Sequence, residues 1–98
     1  MQQNVLVRWY TLRMELDCGI QQARIVSWLT DELALARDDA CWVFDCEGGN
    51  CRIEVSPLPN RAIGRYSIER TLVSISGDKA AIESFYDLFT LQFLSAGG

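Results

Sequence analysis

The chain has 98 residues, 49% hydrophobic and 22% charged, with two prolines, a balance that predicts one soluble domain over 1–98 around a single core. It contains no histidine, which removes serine triads, histidine-ligated metals and imidazole pH switches from consideration. A net charge of −4, with arginine at eight of the nine basic positions, opposes phosphate-led binding of nucleic acid and favours paired guanidinium–carboxylate contacts with another protein.

Residues 1–4 carry no basic group, and the apolar stretch that follows is broken by Arg8 and Arg13, so neither a secretory leader nor a membrane span is expected. The expected compartment is the cytoplasm, with the four cysteines reduced. The first element is predicted as one strand over 5–16, because Tyr10, Leu12, Met14 and Leu16 alternate with polar residues. Along the amino half Val5, Val7 and Trp9 form a second apolar face. Asp17 is placed to cap a helix over 19–37, whose Ile25, Val26, Leu29, Leu33 and Ala36 form a core stripe with Trp28 on its flank.

A hairpin follows over 41–55. With Gly48-Gly49 as its turn, Trp42 faces Val55, Phe44 faces Ile53 and Cys46 faces Cys51 on the inner side. Pro57 and Pro59 are expected to lead out of the sheet, and a strand over 65–76 to change its inward face at a bulge near 69–71. Asp78 is placed to cap a second helix with an apolar arc of Ala81, Ile82, Phe85, Leu88 and Phe89. That helix runs through Leu94 to a stop at Gly97, or else 91–94 form a last short strand. This order predicts an α+β fold, a ferredoxin-like βαββα(β) sandwich with an antiparallel sheet and two helices on one face.

Few residues carry chemistry. Cys41 and Cys46 lie five positions apart on one strand, about 16 Å along it and on opposite faces, so they do not share a metal ion; neither metal nor cofactor is expected. Cys46 and Cys51, as direct cross-strand neighbours, form a candidate redox pair, and Cys18 at a helix mouth a candidate reactive thiol. Arg61, Arg65 and Arg70 make the one locally basic stretch, suited to an anion or to a partner's carboxylates. Trp28, Trp42, Phe44 and Tyr66 are candidate walls of an apolar ligand pocket. Val5, Val7, Trp9 and Val43, on the sheet face away from the helices, predict an oligomer interface, most simply a homodimer.

The resulting expectation is a non-catalytic protein-interaction or small-ligand-sensing module acting as a homo-oligomer. A small thiol, redox or metal-binding protein using Cys46/Cys51 or Cys18 is the alternative.

Overall fold

The computed structural model describes residues 5–94, so the helix stop expected at Gly97 lies outside the described residues. Two strands, β1 (Val5–Tyr10) and β2 (Arg13–Cys18), stand where one was expected. A two-residue turn, Thr11-Leu12, joins them, with Leu12 in the left-handed region at φ 57°. Neither residue is a usual turn former, which is why the alternation runs straight through them in the sequence.

That turn resets the parity of everything before it. Val5, Val7 and Trp9 stand opposite Cys18, Leu16 and Met14, all three buried, and cross-strand partners share a face. They therefore look toward the core side of the sheet. Val43, opposite the exposed Arg52, looks the other way. The apolar set expected to join two copies is divided between two faces, and the homodimer built on it loses its basis.

The next segment also departs from expectation. A six-residue helix, α1 (Gln22–Ser27), continues into a π-helical turn, Trp28–Glu32, in which the Leu33 N–H donates to the Trp28 carbonyl at 2.9 Å. Ala34, at φ 50°, ends the helical run, and Ala36–Asp38 becomes a short strand, β3. The strands β4 (Cys41–Cys46), β5 (Gly49–Ile63) and β6 (Tyr66–Gly77) complete a six-stranded antiparallel sheet in the order β1-β2-β6-β5-β4-β3. A second helix, α2 (Lys79–Phe93), closes the described chain, so 91–94 form no strand.

This arrangement is not ferredoxin-like. The described residues begin with a hairpin, and the connection through α1 carries the chain from β2 to the far edge, past three strands, where a split βαβ unit passes one. On one side of the sheet Met14, Leu16, Cys51, Ile53, Val73 and Ile75 are buried, and Ile25, Leu29, Ile82, Phe85 and Phe89 from the helical segments complete the same core. The Trp28 ring lies 5.7, 6.0 and 5.2 Å from the rings of Phe85, Phe89 and Phe93. Each such buried side chain contributes about 1.5–3 kcal/mol.

The β4–β5 hairpin turns at Glu47-Gly48, one position earlier than expected, so Cys46 faces Gly49, Phe44 faces Cys51 and Trp42 faces Ile53. Gly49 explains the choice. At φ 124° it lies against Asp78 with no space for a Cβ, while the Asn50 N–H donates to the Asp78 carboxylate at 3.0 Å. Asp78 thus gives its carboxylate to the hairpin, and α2 begins without a side-chain cap.

Beyond Ser56 the two prolines do not lead the chain out of the sheet. Pro57 pairs with Thr71 at a point where β4 has already ended, so its missing N–H faces no neighbouring strand. The irregularity lies in β5, between Leu58 and Arg61, and β6 keeps one parity throughout. Tyr66 and Ile68 therefore occupy the face opposite Val73 and Ile75, with no bulge at 69–71. No helix among the described residues is long and apolar enough to cross a membrane.

Candidate functional site

The sheet's longest hairpin outruns its neighbours. Pairing with β4 ends at Glu54 and pairing with β2 ends at Thr71, so the ribbon of 58–63 and 66–70 projects as a two-stranded arm. The molecule is correspondingly elongated, 45 × 29 × 28 Å. Arg70 fixes the base of this arm. Its Nε and Nη2 donate to the two carboxylate oxygens of Asp17 at 3.2 and 2.5 Å, and its Nη1 donates to the Pro59 carbonyl at 3.4 Å. One planar cation thus ties β2 to the β5 bulge. Asp17, expected as a helix cap, is instead the anion of this clamp.

Between the arm and the start of β1 lies a groove of about 490 Å³, lined by Val5, Leu6, Asp17, Gly19, Arg61, Ile68 and Arg70. Leu6 and Asp17 are cross-strand partners, as are Arg61 and Ile68, and both pairs lie on the sheet face away from the core. Leu6, Ile68 and the neighbouring Tyr66 are 52%, 39% and 77% exposed, with Ile63 opposite Tyr66. The apolar character of this end is therefore on the surface.

The electrostatics of the groove are asymmetric. Asp17 and Arg70 neutralise each other, as Asp38 and Arg52 do at 2.6 Å elsewhere on the same face. Among the described residues Arg61 makes no ion pair, and Arg65, in the turn of the arm, makes none either. The groove thus presents an apolar floor with one unneutralised guanidinium. Of the basic stretch singled out in the sequence, Arg61 and Arg70 meet here and Arg65 lies just beyond.

The other sequence candidates do not assemble. Trp28 and Trp42 are 5% and 3% exposed, held in the core with the Trp42 Nε1 donating to Thr30 Oγ1 at 3.3 Å. Phe44 packs 5.7 Å from Phe85, and Tyr66 sits on the arm on the opposite face. These four residues wall no common pocket. Cys46 and Cys51 are not opposed but diagonal, a placement of about 7–8 Å between Cα atoms that is too long for a disulfide. All four thiols are free.

Cys18 ends a strand and does not open a helix. Burial first, and Asp17 second, push its thiol from the ordinary 9.0 up to about 12. Cys51 reaches about 12 for the same leading reason, with Cys46, Asp78 and Asp45 adding to it. Both stay protonated, the opposite of what a nucleophile needs. Cys41, on the outer face, has its thiol 3.9 Å from the Glu54 carboxylate.

Leu6, Asp17, Gly19 and Ile68 belong to the groove and were not anticipated from the sequence. The available signal was the apolar character of both parities in β6, which marks a strand end exposed on its second face. A second hollow, of about 520 Å³, is lined by Trp9, Tyr10, Thr11, Leu12, Lys79 and Glu83 where the β1–β2 turn meets α2. Its two charges are of opposite sign, so it carries no comparable electrostatic preference. No family model, curated protein or solved structure significantly matches this chain.

Proposed function

We propose that the protein is a non-catalytic interaction module whose groove receives an apolar segment of another protein bearing an acidic side chain. The observation that carries this reading is Arg61, unneutralised beside Leu6 and Ile68 while Arg70 and Arg52 are each paired with an aspartate. A guanidinium flanked by exposed aliphatic groups suits a carboxylate carried between apolar residues. Nucleic acid is a poor fit, since the basic groups on the arm are few and the chain is acidic overall. The cytoplasm is the proposed setting, supported by four free cysteines.

The test is titration of the ¹⁵N-labelled protein with the capped peptide Ser-Ile-Ser-Glu-Ser-Leu-Ser, whose isoleucine, glutamate and leucine share one face when the peptide is extended, and with a version carrying lysine in place of the glutamate. Shifts at Leu6, Arg61 and Ile68 are expected with the acidic peptide alone, and Arg61→Ala should weaken binding about fivefold. Equal response to the two peptides, or shifts confined to the core side of the sheet, would overturn the reading.

A further inference from the structure

Beside the groove runs an open sheet edge. β2 pairs with β6 only over 71–76, and the chain then turns away at Gly19 toward Ile20, whose carbonyl accepts the Thr71 hydroxyl at 2.6 Å. Over 66–70, β6 has β5 on one side and no described strand on the other. In an antiparallel ladder successive residues point their N–H and C=O groups alternately to the two sides. Tyr66 and Ile63 flank the two-residue turn of the arm and Ile68 faces Arg61, so residues 66, 68 and 70 pair with β5. Ser67 and Glu69 direct their backbone groups outward, into the place β2 would occupy if it continued.

We infer that the partner segment binds by strand addition, pairing with residues 66–70 of β6 in line with β2; this rests on the reading of the groove given above. Two independent features fix the occupant. The open edge, about 17 Å long, supplies backbone donors and acceptors that only an extended chain satisfies together. The outer face beside it supplies Leu6 and Ile68 for apolar side chains, and the Arg61 guanidinium, next to Ile68 on the adjacent strand, for a carboxylate. A strand that alternates across the sheet plane presents an acidic residue and apolar ones to that face at every second position.

The same acidic peptide distinguishes this mode from simple occupancy of the groove. Glu69→Pro removes one outward N–H without touching the pairing to β5, and should weaken the peptide about tenfold. Ala62→Pro, on the opposite edge of the same arm, should leave the affinity within about twofold. Methylating alternate backbone nitrogens of the peptide tests the same bonds with unaltered protein: one of the two methylation registers should lose binding and the other keep it. If both methylated peptides and Glu69→Pro bind like their parents while Arg61→Ala is weakened, strand addition falls and the groove reading stands. If the unmodified peptide gives no shifts at about 1 mM, both fall.

Discussion

Cys18 and Cys51 show how position in the fold decides what a side chain does. Both sulfurs are sealed in the core, and the folded state favours their protonated forms. For a thiol whose folded pKa rises from 9.0 to about 12, the stabilising difference is complete below pH 9 and is lost as pH climbs from there toward 12. Each thiol should therefore lower stability progressively as pH rises from 9 toward 12. Urea midpoints at pH 8 and pH 10.5 measure this, and Cys18→Ala, though less stable at both, should show a shallower decline; an unchanged decline would contradict it. Asp17 and Asp78 make the same point with carboxylates. Each precedes a helical segment, and that much is legible, yet the Asp17 carboxylate goes to Arg70 and that of Asp78 to the Asn50 N–H. Partners more than twenty positions away leave no trace in the local pattern.

At the scale of elements, the β4–β5 hairpin separates what a repeat of two can specify from what it cannot. The inward side of Trp42, Cys51 and Ile53 is legible from alternation alone, and a slip of two positions preserves it. Which residue faces which depends on the turn, and that was decided by α2 pressing Asp78 against Gly49. Gly49→Ala places a Cβ on that carboxylate at φ 124° and should cost about 2–3 kcal/mol. Gly64→Ala, at φ 58° in open space, should cost about 1 kcal/mol, the conformational penalty alone. Chemical denaturation of both variants checks the ranking, and equal losses would show that the Asp78 contact does not matter. The β1–β2 hairpin is the opposite case, because its turn rests on Leu12, a residue type that announces nothing.

For the whole molecule, stability should grade along the long axis. The central strands are paired on both sides and covered by helices, whereas the arm over 58–69 buries little and is paired along one side of each strand. Amides in β2 and in 71–76 of β6 should exchange with deuterium at least about a hundredfold more slowly than those of the arm. Protection of the arm equal to that of the centre would argue against its independence. The core is well foreshadowed by composition and pattern: Ile25, Leu29, Ile82, Phe85 and Phe89 are all apolar at helical spacing. The groove is only half foreshadowed, since the arginines stand out as a group but their setting depends on β1 lying next to β2, which the smooth run of residues 5–16 conceals.

Pro57 gives the arm two unequal sides. On the β5 side a backbone donor is missing where β4 ends, while the β6 side is open along its length. A ribbon receptive along both margins could link molecule to molecule without limit and seed fibrils. With an imino acid at the foot of one margin, a strand adding there loses a bond that a strand adding to β6 keeps.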